Sequence, residues 1–348
     1  MLTVNESRGI SLARGFIVFL IAPIHCVMVF STEDVKQGTL GFVMAFFAEN
    51  PGAHLFMFLM GVFVVFSRDK PYSTILKRFV LLLVSGWLLN TFKFVIPHLL
   101  HLLPENFYSD NHIVQDRYTA YRLLFINDIL QFASFAYLTC ALIRKTTFPI
   151  FICILSGLAI LIFSPLMWDR GNTGSLLVNV FLDLLGGFPP KTYFPIFPWL
   201  FHCLAGMVFA LLLQKKMLDH TIFVSSGIML ILSGYFISTF EPAAWQITFF
   251  RAGPGGTLLH TGVTILWISL FVRLSKDVGN NILFRFFEWC SRYITSIYLI
   301  QWCIIMWLVL CVGYEKSGLL QSLLLILFTS LVSLSIVNSV TKKNTKND

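Results

Sequence analysis

Ten apolar segments follow one another along this chain of 348 residues, separated by polar links of varied length. They lie at about 11–31, 53–67, 75–96, 121–143, 147–166, 194–214, 220–238, 257–275, 291–311 and 317–339. The hydrocarbon core of a bilayer is roughly 30 Å thick, and a helix crosses it in about 20 residues. In lipid, every backbone N–H and C=O must be satisfied internally, which leaves helices or a closed barrel. Continuous apolar runs, rather than alternation of period two, select helices. The expected fold class is an all-α integral membrane protein, with about ten transmembrane helices in one bundle forming a single polytopic domain over 1–348. Segment 53–67 is the shortest, and short spans often border a cavity. The link from Met167 to Tyr193 is long and broken by Gly186-Gly187, Pro189-Pro190 and Pro195, so it reads as a re-entrant segment.

Only 12% of the residues are charged while 57% are hydrophobic, so the net charge of +8 does not indicate nucleic-acid binding. Basic residues beside spans set topology and favour anionic lipid headgroups. With the N-terminus inside, the inner loops collect Arg68, Lys70, Lys77, Arg78, Arg144, Lys145, Lys215, Lys216, Arg273, Lys276, Arg285 and Arg292. The outer loops hold fewer, among them Lys36, Arg117, Arg170, Lys191 and Arg251, mixed with acids. Both termini are expected to be cytoplasmic. The first apolar run continues to Ser31 without a small-residue cleavage pattern, which predicts a retained span. The seven cysteines form no CxxC pair and fall almost entirely within spans, as small core hydrophobes do.

Against this apolar background, Arg14 and His25 stand out. They are eleven positions apart on the first span, which places them on nearly the same helix face about 16 Å apart along the axis. An ionisable group inside a bilayer is costly and is a functional-site hypothesis by default. A neutral imidazole at His25 can take a proton from a hydroxyl or amine; the competing account is a histidine hydrogen-bonded between helices. Arg14 suits bidentate phosphate binding, and Lys77 and Arg78 suit the same task. Snorkelling, positive-inside residues are the competing account. A second set of polar residues recurs in the outer halves of other spans. His54 opens the second and Asn90 and Lys93 close the third, while Asn127, Asp128 and Gln131 lie in the fourth. Trp199 and His202 come next in the sixth, Thr257 and His260 in the eighth, Tyr298 and Gln301 in the ninth. Their shared depth predicts an outward-facing polar cavity. His98, His101 and His112 have no acid or cysteine to complete a metal signature, and no metal site is expected. GxSxG, Walker A, GxGxxG and HExxH motifs are absent.

Four stretches resemble the transmembrane acyltransferases: the bacterial membrane acyltransferases that O-acetylate glycans, and their heparan-α-glucosaminide N-acetyltransferase-type relatives. Ser11-Leu12-Ala13-Arg14-Gly15 with His25 is similar to that superfamily's first-helix arginine and histidine. Gly52-Ala53-His54-Leu55-Phe56-Met57-Phe58-Leu59-Met60-Gly61 is similar to its phenylalanine-rich second helix, and Lys77-Arg78 to its basic pair. Phe197-Pro198-Trp199-Leu200 with Gly206 resembles the "PW…G" helix of the N-acetyltransferase branch. Ser291-Arg292-Tyr293-Ile294-Thr295-Ser296-Ile297-Tyr298-Leu299-Ile300-Gln301-Trp302 is similar to a late "S-Y-x-x-Y-L-I-H-W" segment. Two positions depart from the pattern. Ser11 stands where an acid often precedes the arginine, and Gln301 replaces the late histidine and cannot exchange protons near neutral pH.

The resemblance implies an acyl-CoA donor, most often acetyl-CoA, entering from the cytoplasm, with no tightly bound cofactor. Arg14, Lys77 and Arg78 would hold its nucleotide end, and His25 would act as general base on a hydroxyl or amine of a carbohydrate or lipid-linked acceptor. His54, Asp128, Gln131, Trp199, His202, Tyr298 and Gln301 are the acceptor-pocket candidates. A bacterial plasma membrane is the expected location. The alternative is a secondary transporter or lipid flippase, which broken helices and midplane polar residues would also serve. The two halves of the chain, however, share no corresponding motif.

Overall fold

The computed structural model describes residues 3–170, 173–217, 219–245, 249–279 and 281–344. It is all-helical in its regular structure, and among the described residues nine helices are long and apolar enough to cross a membrane. In chain order the principal helices are α1 (Val4–Phe30), α2 (Thr39–Phe66), α3 (Tyr72–Leu99), α4 (Ile129–Arg144), α5 (Pro149–Met167) and α6 (Leu176–Gly186). They continue with α7 (Ile196–Gln214), α8 (His220–Ser238), α9 (Pro254–Asp277), α10 (Ile282–Arg292), α11 (Ile294–Val312) and α12 (Leu319–Lys342). The nine long helices overlap nine of the apolar segments, and the shorter α4 overlaps the segment 121–143 only from Ile129 on, after a separate short helix at Thr119–Leu124.

Two expectations change. The second span is not short. α2 runs 28 residues because the helix continues through Ala48–Gly52 as a π turn, taking in Asn50-Pro51-Gly52 just before the expected start of the span. Pro51 lacks an N–H, and Asn50 Nδ2 donates to the Phe46 carbonyl at 3.1 Å, so the disturbed backbone keeps a partner. The link from Met167 to Tyr193 carries an eleven-residue helix, α6, instead of only broken chain. That helix returns to the end of α5: Asp169 N–H donates to the Gly186 carbonyl at 3.0 Å.

The helices cluster into two compact units. One, the α1 unit, comprises Val4–Gly52, Leu89–Leu124 and the chain from Phe271 onward. The other, the α2–α7 unit, comprises Ala53–Leu88 and Phe125–Leu270. In the α1 unit, the C-terminal carbonyls of α1 are satisfied by the turn before α12. Glu315 N–H donates to Val29 O at 2.9 Å and Ser317 N–H to Phe30 O at 2.7 Å. Ser31 and Ser322 hydroxyls bond at 2.8 Å, and Lys36 pairs with Glu315, locking the same end. α10 is amphipathic: Phe284, Phe287, Cys290 and Ser291 are buried at helical spacing, while Ile282, Leu283 and Arg285 are exposed.

In the α2–α7 unit, α2 and α7 touch at glycines. A side chain on Gly61 would collide with the Cys203 carbonyl, and one on Gly206 with the Phe58 carbonyl. The two backbones lie closer than any larger residue allows, as small residues permit in membrane helix pairs. α8 and α9 cross antiparallel in the same way, with Gly227 against Gly262 and Gly234 against Gly255. Large apolar side chains on the outer faces, such as Phe151, Leu155 and Ile162 of α5 and Met229, Leu232 and Phe236 of α8, are exposed, as lipid-facing surfaces are.

Candidate functional site

Within the α1 unit, α1 and the α10–α11 pair advance side by side in the same sense. Near the start, Arg8 pairs with Glu288 at 2.9 Å and lies 5.5 Å over the Phe284 ring. One and a half turns on, Gly15 admits the Phe287 carbonyl against α1, and Arg14 Nε donates to Ser291 Oγ at 2.7 Å. Tyr293 (φ −104°, ψ 23°) interrupts the helix, and α11 starts afresh at Ile294. Further along α1, His25 meets Tyr298, Gln301 and Trp302, which share one face of α11 at spacings of three and four. The two stretches that stand out in the sequence, the first-helix arginine and histidine and the late segment around Gln301, are thus brought together at two depths.

His25 is held from three sides. Gln301 is fully buried, and its amide places Nε2 2.8 Å and Oε1 3.2 Å from His25 Nδ1. The Trp302 indole stacks on the imidazole with centroids 4.1 Å apart and planes 30° apart. Tyr298 presents its ring edge at 6.2 Å. Chemically the amide is a tautomer selector. With Nε2–H donating, Nδ1 accepts and the imidazole proton sits on its own Nε2. With the amide turned by half a revolution, Oε1 accepts from Nδ1–H and the imidazole lone pair sits on His25 Nε2. A glutamine performs this task without titrating.

Two residues near His25 were not legible as its neighbours. Trp302 is one of several tryptophans in apolar helices, and spacing alone does not single it out. Lys93 is unusual for lying in a span, yet only the fold brings it here: its ammonium sits 4.0 Å over the Trp302 ring and 4.7 Å over that of Phe94.

The α2–α7 unit holds a second polar cluster. His54 stacks on Trp199 (4.7 Å, 18°) and on His260 (4.3 Å, 10°), and His202 meets its edge at 4.7 Å. Trp199 Nε1–H donates to Phe250 O at 2.9 Å, and His202 Nδ1 lies 2.8 Å from Thr261 Oγ1. Thr261 in turn donates to the Thr257 carbonyl at 2.8 Å, which leaves its oxygen to accept from His202 Nδ1–H. Neither ring nitrogen of His260 has a partner among the described residues, though the side chain is buried. Beside this cluster, outside the spans, Arg251 lies over the Trp168 ring at 4.8 Å; burial lowers its guanidinium to about 10.

The remaining candidates divide between other tasks and places. Asp128 is the N-cap of α4, and Gln131 Oε1 accepts from Asp128 N–H at 3.2 Å in a reciprocal capping box. Their three-residue spacing serves the helix start, so these side chains spend hydrogen bonds on backbone. Asn127 ties the same corner to the loop before α7, with its Nδ2 donating to Thr192 Oγ1 at 3.2 Å. Lys77 and Arg78 are exposed on the first turns of α3, with Arg78 5.0 Å over the Tyr137 ring. They and Arg14 belong to different units. Of the seven acceptor-pocket candidates, Tyr298 and Gln301 stand with His25 in the α1 unit, and His54, Trp199 and His202 stand with His260 in the α2–α7 unit. His98 and His101 line a cavity of about 310 Å³ with Glu105, Tyr108, Gln115 and Asp116. There His98 Nδ1 bonds to Tyr108 OH at 2.8 Å. Among the described residues no group of three His, Cys, Asp or Glu side chains has a metal-holding arrangement.

The model of one protein family matches residues 8–237, about two thirds of the chain, and that family is described as heparan-alpha-glucosaminide N-acetyltransferase, catalytic. The match covers Arg14, His25, His54, Trp199 and His202, and ends before α9 and the helices that carry Ser291, Gln301 and Trp302. No curated protein and no solved structure matches the chain. With its apolar helices and a family model that spans most of them, the chain belongs to the heparan-alpha-glucosaminide N-acetyltransferase catalytic family, as a multi-pass membrane protein of transmembrane-acyltransferase type.

Proposed function

We propose that the protein transfers an acetyl group from acetyl-CoA to a hydroxyl or amine of a carbohydrate or lipid-linked acceptor, with His25 as general base. The single observation that carries this reading is the pairing of His25 with Gln301 on aligned helices that also pair Arg14 with Ser291. Arg14 anchors the anionic end of the donor by charge-assisted hydrogen bonds, which a guanidinium makes bidentately to phosphate. The pantetheine arm runs along α1 and brings the thioester carbonyl toward His25.

In the reacting state, Gln301 Oε1 accepts from His25 Nδ1–H, and His25 Nε2 takes the proton of the acceptor's O–H or N–H. The acceptor oxygen or nitrogen bonds to the acetyl carbon, and the C–S bond breaks. The imidazolium returns its proton to the departing thiolate, so CoA leaves as the thiol. General-base assistance of this kind is worth about 10²–10⁴-fold. Tyr298, at the imidazole's edge, is the side chain nearest to hand for contact with the acceptor. The distribution of basic residues favours a cytoplasmic side for both termini and for the donor entrance, and the location proposed with this reading is a bacterial plasma membrane.

The test follows radiolabelled acetyl from acetyl-CoA into the glycan and lipid fractions of membranes containing the protein. His25→Ala should abolish transfer while the variant still inserts and purifies as a monodisperse species. Transfer near the parental rate would overturn the reading. Arg14→Ala should chiefly raise the donor KM, and an unchanged KM would return Arg14 to a topological role.

A further inference from the structure

A lysine inside an apolar helix ordinarily stretches its ammonium toward the interface. Lys93 does not: it is 2% exposed, and its Nζ lies against two aromatic faces, Trp302 at 4.0 Å and Phe94 at 4.7 Å. The backbone is shaped for this. Thr91–Val95 is a π turn in α3, whose extra residue shifts the register of the rest of the helix by one position. Phe92 faces outward and is exposed, while Lys93 and Phe94 are both buried. The turn is bonded directly to α11, because Trp307 Nε1–H donates to the Phe92 carbonyl at 3.2 Å.

The same indole touches His25. The imidazole centroid is 4.1 Å from that of Trp302, and Lys93 Nζ is 4.0 Å from it. Trp302 is therefore the one indole that both the cation and the imidazole contact. A cation–π contact is stronger when desolvated than at an exposed site. The cation thus pins the indole, and the indole, stacked at 30°, sets the plane of the imidazole.

We propose that Lys93 is a positioning residue for His25, acting through Trp302 to hold the imidazole in register with the Gln301 amide. The proposal rests on His25 being the base, and it predicts an effect on the chemical step and not on donor binding. A misplaced catalytic group of about 1 Å costs up to roughly 10²-fold in rate.

The experiment measures kcat and donor KM in the acetyl-transfer assay for Lys93→Met, Lys93→Arg, Trp302→Leu and the double variant Lys93→Met/Trp302→Leu, with His25→Ala alongside. Lys93→Met should lower kcat by about tenfold or more with donor KM within about twofold of the parent. Lys93→Arg keeps a stacking cation and should restore most of kcat. Trp302→Leu should match Lys93→Met, and the double variant should be no slower than Trp302→Leu alone, since both remove one clamp. A Lys93→Met kcat within about twofold of the parent, or multiplicative losses in the double variant, overturns the proposal. If Lys93→Met does not fold, Trp302→Leu decides: parental kcat overturns the proposal, and a kcat loss with parental donor KM, together with an active Lys93→Arg, supports it. An active His25→Ala instead removes the reading of His25 as base, whatever the Lys93 variants do.

Discussion

Gly61 of α2 and Gly206 of α7 are reciprocal contacts: each leaves room for a backbone carbonyl of the opposite helix, that of Cys203 and that of Phe58. Both glycines belong to stretches whose letters resemble the acyltransferase pattern, and the fold gives them a common reason. They set the spacing of two helices that carry His54 on one side and Trp199 and His202 on the other. Gly61→Ala or Gly206→Ala must push the helices apart or bend them, since the obstructing atoms are backbone. Each should destabilise the folded protein by about 1–3 kcal/mol, the usual cost of overpacking. Thermal melting in detergent checks this, and the double variant should lose less than the sum, because one separation relieves both clashes.

His260 offers a cleaner separation of stability from chemistry. It stacks on His54 at 4.3 Å with planes 10° apart, and neither of its ring nitrogens has a partner among the described residues. Burying an unsatisfied polar group costs about 1–3 kcal/mol, so replacing it with an apolar ring of similar shape should be neutral or stabilising. His260→Phe should therefore melt at or above the parental temperature. A lowered melting temperature would show that the imidazole nitrogens hold the α2–α7 unit together. Measured in the same protein, the transfer rate tells whether these nitrogens serve chemistry as well.

The spans were legible because hydrophobic length is a local property, and the apolar segments and helices coincide through most of the chain. Punctuation was less reliable. Asn50-Pro51-Gly52 is a strong turn signal in water, but in α2 the helix continues through it as a π turn. Asp128 and Gln131 read in the sequence as polar groups on a spanning face. They are the capping box of a short helix, a use that the Asp-x-x-Gln spacing encodes but apolar surroundings disguise. Of the candidate site, Arg14 and His25 were visible because charge and imidazole are rare in such a helix. Their partners were not, since Ser291 and Gln301 lie 277 and 276 positions away and only helix packing brings them in. Lys93 was visible as an oddity without a purpose, because its contact with Trp302 is made only by the fold.

Gln301 is the residue at which the late segment departs from the pattern it resembles. Its amide is fully buried and reaches His25 Nδ1 with either atom, at 2.8 Å and 3.2 Å. If His25 Nε2 is the base, only the arrangement with Oε1 toward Nδ1–H is productive, and the opposite arrangement stores the proton on the atom that must accept one. Gln301→Leu removes the selector and leaves the tautomers to their intrinsic preference, so kcat should fall by about 10²-fold while donor KM stays near the parental value. Gln301→Glu offers only acceptor oxygens when ionised and forces the proton onto Nδ1, as an orienting carboxylate does beside a catalytic histidine. Its kcat should equal or exceed that of the parent at neutral pH. As the pH falls and the carboxyl protonates, that advantage should disappear, because a protonated carboxyl can donate to Nδ1 again. Steady-state rates of the two variants across roughly pH 5–8, the range in which histidine titrates, check the scheme. A Gln301→Leu variant with the parental kcat would remove tautomer selection from the mechanism.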